Sequence, residues 1–498
     1  MIFLNTIINN FKVKQDRNAF CIDNVFYTYE DLGNAVANIV EQLNNNQDCI
    51  QSKRLAIVCT NHINTYASLI ACWISGYAYV PLGLHNPDER NIDILEDAEI
   101  GLILSSKQLK QQDYFNYTII DTSNIIDQNI SLSINSNIVE NDLAYILFTS
   151  GSTGKPKGVP ISFKNINSFI EAFSKTSFTI TQDDKCLQMF ELTFDVSVSS
   201  FLPALLAGAC VYTVSDDAIK YLNVLKVINE HQLTSIQIVP SIIRLGMPLL
   251  NKLNFTSVKQ CILTGEATNI ELLEKWKPVV SNANIYDFYG PTESTIYCSF
   301  YQCNTNFVKH YNGMLCIGMP FYNTEMKIVD VALNEVNPLE KGELLIYSPQ
   351  LSQGYLNNKA KNKESFINID NKRYYKSGDM CYRDEDGDIF YCGRLDNQVK
   401  IQGFRVELSE IEFKTKVAFG LNNVAIPIIN KVNATELILV VEKMQEDAID
   451  SIIEKLKTVL PTYMIPKEII AIDELPVNTS GKTDRVKVKQ MVNEYFTK

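Results

Sequence analysis

Residues 149–155 form the densest group of phosphate-compatible side chains in the sequence, and they follow an apolar, strand-like segment at 145–148. The group comprises Thr149, Ser150, Gly151, Ser152, Thr153, Gly154 and Lys155. Glycine lets backbone N–H groups approach phosphate oxygens, hydroxyls donate further hydrogen bonds, and lysine supplies positive charge. The pattern is not a Walker A loop, because two residues instead of four separate the glycines and Pro156 follows the lysine. We predict a phosphate-binding loop, with a solvated surface turn as the alternative.

Alternating strand and helix patterns on both sides of this loop predict the framework that positions it. Apolar residues recur at helical spacing from Leu32 to Leu43, and short apolar runs typical of buried strands occupy 54–58, 235–239 and 260–263. Strands that alternate with helices favour a largely parallel sheet covered by helices. The predicted fold class is therefore α/β.

The sequence changes character near residue 395, which predicts a domain boundary. A turn-rich β segment ends there, whereas residues 396–498 combine helix-like and strand-like segments in the manner of a small α+β domain. Residues 1–395 then form the large N-terminal domain. Two domains also agree with the length of 498 residues, which is too great for one compact core.

The overall composition narrows the classes of partner and location. A formal net charge of −12 argues against nucleic acid or an anionic membrane surface as the main partner. The 12 cysteines lack metal-ligand spacing, which indicates free thiols in a reducing compartment. The apolar start lacks the basic segment of a signal peptide, and no apolar run reaches the roughly 18 residues of a membrane span. We expect a soluble, cytoplasmic protein without membrane insertion.

Further motifs accompany the loop in a fixed order along the chain. They are Tyr289–Glu293 (YGPTE), Tyr375–Asp379 (YKSGD), Gly393–Glu407 (GRLDNQVKIQGFRVE), Leu460–Pro466 (LPTYMIP) and Asn478–Arg485 (NTSGKTDR). Together with the loop they resemble the motifs of the adenylate-forming superfamily, which includes acyl-CoA synthetases, luciferases and amino-acid adenylation domains. The resemblance implies a large N-terminal domain, a small mobile C-terminal lid domain, and an ATP-dependent reaction that forms an acyl adenylate.

The same resemblance implies roles for individual residues. Lys482 is the implied catalytic residue, which supplies positive charge where the substrate carboxylate meets the α-phosphate. Glu293 is the implied ligand of Mg²⁺, a hard cation that prefers oxygen, although a helix-capping carboxylate is the alternative. Besides the loop and Lys482, the implied ATP-binding residues are Asp287, Phe288, Tyr289, Gly290, Pro291, Thr292, Asp379, Tyr391 and Arg394. Asp396 is the implied hinge on which the lid turns between adenylation and thioester formation.

The segment Phe190–Ser199 bears on the class of acid. It resembles the Phe-Asp-x-Ser motif of amino-acid adenylation domains, in which the aspartate, here Asp195, pairs with the α-ammonium of the substrate. A buried carboxylate needs such a partner or a raised pKa; the alternative role is a helix N-cap. The implied substrate-binding residues are Asp195, Leu263, Gly265, Phe288, Ile296 and Lys482. Because Leu263 and Phe288 should both line the pocket, the phenyl ring leaves room for a small substrate.

Activation of a small amino acid, followed by transfer to a carrier, is the function that these patterns favour. The run Cys261–Glu266 and the chain length resemble free-standing D-alanine–carrier-protein ligases. Because the sequence ends soon after Arg485, we expect the acceptor to be the phosphopantetheine thiol of a separate carrier protein, or coenzyme A. An acyl- or aryl-acid CoA ligase and a non-catalytic ATP-binding scaffold are the alternatives. Departures from residues common in the superfamily occur at Gly83, Phe163, Asp287 and Gln402.

Overall fold

The computed structural model describes residues 2–50, 52–109, 114, 116–123, 132–151, 154–215, 219–303, 307–430, 435–444, 449–477 and 483–497. The chain divides into two compact units. The first comprises residues 1–84, 95–148 and 158–395, and the second comprises residues 85–94, 149–157 and 396–498. The segments 85–94 and 149–157, which the sequence analysis assigned to the large domain, therefore pack within the second unit.

Helices and strands alternate along much of the chain up to residue 395. The described helices α1 to α10 are Ile2–Val13, Tyr29–Asn45, Ile63–Ser75, Asp88–Asp97, Phe163–Ser174, Val196–Ala207, Lys220–His231, Pro240–Gly246, Ile270–Trp276 and Lys359–Ser365. The described strands β1 to β22 are Asn18–Ile22, Val25–Thr28, Arg54–Cys59, Ala78–Gly83, Leu102–Ser105, Thr118–Asp121, Leu143–Thr149, Lys157–Ser162, Lys185–Gln188, Cys210–Thr213, Ser235–Ile238, Gln260–Thr264, Asn284–Tyr289, Ser299–Gln302, His310–Tyr311, Met314–Leu315, Met319–Pro320, Glu325–Val329, Gly342–Tyr347, Phe366–Ile369, Lys372–Arg383 and Ile389–Arg394.

Two large sheets contain most of these strands. One has nine strands in the order β17-β14-β13-β12-β11-β9-β10-β1-β2, and its central pairs from β13 to β1 are parallel. The other has six strands in the order β6-β5-β3-β4-β7-β8, with parallel pairs from β6 to β7. The predicted α/β class with mainly parallel sheets is confirmed.

A smaller antiparallel sheet follows the two large sheets along the chain. Its strand order is β18-β19-β21-β20, and β22 pairs with β21. The strands β15 and β16 form a separate two-stranded ribbon.

The second unit has its own elements and core. Its described strands β23 to β27 are Gln398–Ile401, Phe404–Glu407, Asn423–Ile429, Thr435–Glu442 and Glu468–Ile472, and its helices α11 to α13 are Leu408–Phe419, Ile449–Lys457 and Arg485–Thr497. The strands β25, β26 and β27 form one sheet, and β23 and β24 form a hairpin. Helices cover this sheet over an apolar core that includes Ile411, Leu439 and Leu456. The unit is an α+β fold.

Chain reversal at two positions of the second unit depends on the left-handed backbone region. Gln402 and Gly403, in the hairpin turn, have φ angles of 51° and 86°. Gly420 ends α11 with a φ of 69°, as expected for a glycine after a helix. In the described part of the chain, no helix has the length and apolar character needed to cross a bilayer.

Candidate active site

The site of the first unit lies where the parallel strands β12 and β13 end. Ligands of open α/β sheets bind at the carboxyl ends of the strands, because side chains from successive loops converge there. The motif Tyr289–Glu293 leaves β13 at this edge. Gly290 is required by close packing, since a Cβ there would lie 2.3 Å from the carbonyl oxygen of Ile296. The loop therefore returns directly over the strand end.

Three of the predicted nucleotide-binding side chains meet in one hydrogen-bonded group. The hydroxyl of Tyr289 donates to the carboxylate of Asp379, and Arg394 donates to the other oxygen of Asp379 at 2.9 Å. Cross-strand pairing of β21 with β22 sets Asp379 opposite Arg394. Burial and the Asp379 carboxylate raise the pKa of Tyr289 well above its usual value. Tyrosine is therefore a neutral donor to Asp379.

Tyr391 lies on the same face of the antiparallel sheet as Asp379 and Arg394. An irregularity in the pairing of β21 with β22 sets Tyr391 opposite Cys381, two residues after Asp379. Residues directly opposite one another in a sheet point to the same side. The extra residue in β22 therefore brings Tyr391 and Arg394, three positions apart, to one face.

Glu293 is buried in a short 3₁₀ turn, Thr292–Ser294. Its carboxylate accepts a hydrogen bond of 2.7 Å from the hydroxyl of Tyr355. Among the described residues, no group of three or more His, Cys, Asp and Glu side chains is suited to hold a metal. One carboxylate is nevertheless compatible with Mg²⁺, because this ion usually keeps waters and binds one or two carboxylates together with substrate phosphates.

Asp195 is a buried carboxylate immediately before α6. It occupies the N-cap position of α6 but makes no side-chain N-cap hydrogen bond. Its Oδ2 accepts a hydrogen bond of 3.2 Å from the backbone N–H of Ile296. Burial raises the pKa of Asp195 to about 6, and the nearby carboxylate of Glu293 contributes, whereas a hydrogen bond from Thr292 opposes the rise. The carboxylate is thus held in place but poorly solvated.

A strained turn aims the Ile296 N–H at Asp195. Thr295 and Ile296 have φ angles of 58° and 72°, which side chains other than glycine rarely adopt. The side chain of Gln350 stabilises this turn, because it donates to the carbonyl oxygens of Ser294, Thr295 and Tyr297 at 3.2, 3.2 and 2.8 Å. Such strain persists where surrounding structure over-determines it, which is common at ligand sites.

A buried group of three polar side chains, Ser199, Gln237 and Tyr297, lies one turn of α6 beyond Asp195. The sequence analysis did not predict it. Ser199 donates to the side-chain oxygen of Gln237 at 2.7 Å, and the hydroxyl of Tyr297 donates to the same oxygen at 2.9 Å. Gln237 in turn donates to the carbonyl oxygen of Ser199 at 2.8 Å. The available signal was the spacing of Ser199 four residues after Asp195, which places both on one helix face.

The expectation that Leu263 and Phe288 line the same pocket is wrong. Leu263 pairs with Asp287 and packs in the core on one sheet face, whereas Phe288 pairs with Thr264 and packs on the other face with Ile262. Side chains alternate between faces of a strand, so the β12 residues on the face of Phe288 are Thr264, directly beside it, and Ile262. Asp287 is buried on the Leu263 face, and Gly265, with a φ of 83°, follows the end of β12.

The glycine-rich loop belongs to the second unit. Thr149 ends β7, and its hydroxyl lies 3.5 Å from the carbonyl oxygen of Lys157 at the start of β8. Ser150, Gly151 and Gly154 are buried, and Lys155 is exposed. Ser152, Thr153 and the predicted catalytic Lys482 lie outside the described residues.

Comparison with known proteins places this chain in the adenylate-forming superfamily. A family model described as AMP-binding enzyme matches residues 9–356. A D-alanine–D-alanyl carrier protein ligase of Staphylococcus epidermidis is 31% identical over 460 residues, which cover 89% of this chain and 91% of that protein. The chain belongs to the AMP-binding enzyme family.

Two other relatives bear on size and fold. Gramicidin S synthase 1 of Brevibacillus brevis is 31% identical over 489 residues, which cover 94% of this chain but 42% of the synthase. The present chain therefore spans less than half of that relative. The Vibrio cholerae adenylation domain AlmE, solved in complex with glycyl-adenosine-5'-phosphate, matches with a TM-score of 0.85 and 24% identity, covering 99% of this chain and 98% of the domain. This likeness supports the fold.

Proposed function

We propose that this protein activates a small amino acid as its aminoacyl adenylate and then transfers the aminoacyl group to the phosphopantetheine thiol of a separate carrier protein. The observation that carries the proposal is Asp195, a buried carboxylate that makes no ion pair with the described residues. A desolvated carboxylate favours a cationic partner. The α-ammonium of an amino acid is a cation that the substrate itself brings.

The limit on side-chain size comes from the polar group beyond Asp195. Ser199, Gln237 and Tyr297 are buried and hydrogen-bonded to one another, so they occupy the space one helical turn away from the carboxylate. The rings of Tyr297 and Phe288 also pack edge to face, with centroids 5.2 Å apart. An amino acid anchored at Asp195 therefore has room for a small side chain.

The proposed reaction has two displacements. First, a carboxylate oxygen of the amino acid attacks the α-phosphorus of ATP, and pyrophosphate leaves. Second, the carrier thiol loses its proton and its sulfur attacks the carbonyl carbon of the adenylate, so that AMP leaves. Most of the catalysis in such steps is positioning and charge stabilisation.

The residues of the site have distinct proposed roles in these steps. Asp379, held by Tyr289 and Arg394, accepts hydrogen bonds from the ribose hydroxyls. Lys482 supplies charge at the α-phosphate. Glu293 is the protein ligand of Mg²⁺, which neutralises phosphate charge when bound.

Two relatives support the choice of substrate and acceptor. The S. epidermidis relative, named for D-alanine and a D-alanyl carrier protein, aligns with nearly the full length of both chains. The AlmE structure contains a glycyl adenylate, in which the amino acid has no side chain. Both names agree with a small amino acid as the acid that this protein activates.

Amino-acid-dependent exchange of pyrophosphate into ATP tests the proposal. The panel contains glycine, both alanine enantiomers, bulky amino acids, and the des-amino acid of each. We expect exchange with a small amino acid that exceeds that with its des-amino partner by at least tenfold. Equal or faster exchange with des-amino acids would favour an acid–CoA ligase, and coenzyme A as the acceptor.

A further inference from the structure

Two donors in and next to the glycine-rich loop, on Gly151 and Lys157, bind carboxylates of the same unit. The backbone N–H of Gly151 donates to Oε2 of Glu410 at 3.2 Å. The ammonium of Lys157, at the end of the loop, lies 3.3 Å from the carboxylate of Glu407. Both carboxylates belong to the start of α11, in residues 407–410, which we name the acidic turn. An N–H group and an ammonium that could bind phosphate oxygens are thus bound to carboxylate oxygens.

Glu410 is built into this position rather than resting on a surface. Its side chain is fully buried, and its Oε1 accepts a hydrogen bond of 2.5 Å from Arg90, whose side chain is 6% exposed. One carboxylate oxygen therefore binds arginine while the other binds the loop N–H. A carboxylate held in this way presents a fixed anionic oxygen to the loop.

Two further contacts hold the loop against the same segment. The hydroxyl of Ser150 donates to the carbonyl oxygen of Arg405 at 2.9 Å. A Cβ on Gly154 would lie 2.2 Å from the ring of Phe413, so glycine permits the ring of α11 to pack directly on the loop backbone. Contacts on both sides of the loop therefore come from one stretch, residues 405–413.

We propose that the acidic turn competes with the triphosphate of ATP for the backbone N–H of Gly151 and the ammonium of Lys157. This inference rests on the proposed role of the loop as the phosphate-binding segment. A donor such as the Gly151 N–H binds one strong acceptor at a time, so it binds either Glu410 or a phosphate oxygen. Negative phosphates next to two fixed carboxylates also repel them.

The competition has a direction in the reaction cycle. ATP binds by displacing the acidic turn from the loop, and the turn returns when pyrophosphate leaves. The returning carboxylates oppose the rebinding of pyrophosphate, as they oppose the binding of ATP. Neutralising Glu410 therefore strengthens the binding of ATP and pyrophosphate together.

The test compares Glu410→Gln with Glu412→Gln. Arg90 and Gly151 bind different oxygens of Glu410, and a glutamine at 410 has an acceptor at one of these two positions only. Glu412 is the matched control: it lies on the same helix, and its carboxylate binds Arg485 at 2.6 Å and accepts from the backbone N–H of Ala425 at 2.9 Å. Both variants lose a carboxylate paired with arginine, but only Glu410→Gln also changes a contact with the loop, that with Gly151.

Binding of Mg²⁺ and α,β-methylene-ATP is measured by calorimetry without any carboxylic acid. We expect the Kd of Glu410→Gln to fall by about tenfold, or about 1.4 kcal/mol, and that of Glu412→Gln to match the wild type. An unchanged or raised Kd in Glu410→Gln overturns the competition. Lys155→Met tests the loop separately: if it does not weaken binding of the nucleotide, the proposed phosphate role fails instead.

Hydrogen exchange of the wild-type protein tests the same idea without a substitution. The nucleotide should increase exchange in peptides that cover the first turn of α11, because those residues lose their contacts with the loop. Unchanged or slower exchange in this turn upon nucleotide binding would overturn the proposal, even if Glu410→Gln fails to fold.

Discussion

Replacement of Asp195 by asparagine removes the charge that we propose selects amino acids. Asparagine retains the shape and an oxygen that accepts the Ile296 N–H. Breaking a desolvated charge pair costs about 2–5 kcal/mol, which is about 30-fold to several thousand-fold in affinity. The KM of the amino acid in pyrophosphate exchange should rise by this range, and the KM of ATP should change little.

The pH dependence follows from the raised pKa of Asp195, about 6. The amino acid binds the ionised carboxylate, so kcat/KM of the wild type should fall as the pH drops through about 6. The asparagine variant should lack this limb. Because the folded-state pKa lies about two pH units above the ordinary value near 3.9, ionisation in the empty site costs about 3 kcal/mol. The protonated carboxyl of Asp195 therefore contributes stability to the folded state below pH 4, and this stability is lost as the pH rises through 6.

The stability of the empty protein provides a second readout. At pH 7, Asp195→Asn should be at least as stable as the wild type. The difference in free energy of unfolding, variant minus wild type, should grow between pH 4 and 6 and then level off. Asp184→Asn is the control. Asp184, immediately before β9, is also buried, but its carboxylate accepts hydrogen bonds from the hydroxyls of Thr181 and Thr234. An unchanged KM, or a loss of several kcal/mol in the empty Asp195 variant, would refute a role for this carboxylate in ammonium binding.

Substitutions at three further residues test the roles proposed for them. Lys482→Ala should lower adenylation by about two to three decades, the scale for one preorganised donor, with an unchanged circular dichroism spectrum; near wild-type exchange would contradict it. Asp396→Pro fixes φ at the proposed hinge and should slow thioester formation more than adenylation, so equal losses would exclude a hinge. Tyr297→Ala should admit larger amino acids in the exchange assay, whereas Tyr297→Phe, which keeps the ring, should not.

Local patterns in the sequence predicted much of the fold. Strands β3, β11 and β12 coincide with apolar runs read directly from the sequence. These elements are identifiable because periodicity and turn residues are local properties of the chain. Asp195 was equally accessible, since its motif is contiguous.

Local sequence patterns did not predict which face of the sheet each side chain occupies, or which residues distant in sequence pack together. The run Cys261–Leu263 is apolar at every position, so it carries no alternation from which to tell that Leu263 and Phe288 point to opposite faces. Arg90 and Glu410 are 320 residues apart, and no local signal joins them. The Ser199–Gln237–Tyr297 group likewise depends on three separate elements brought together by the sheet.

We propose that this protein chooses an acid by its α-ammonium. The most direct measurement is native mass spectrometry of a single turnover with ATP, Mg²⁺ and equal concentrations of alanine and propionate, without a thiol acceptor. The account predicts that the adenylate retained by the protein is alanyl-AMP, in at least tenfold excess over propionyl-AMP. Propionyl-AMP in equal or greater amount would contradict it.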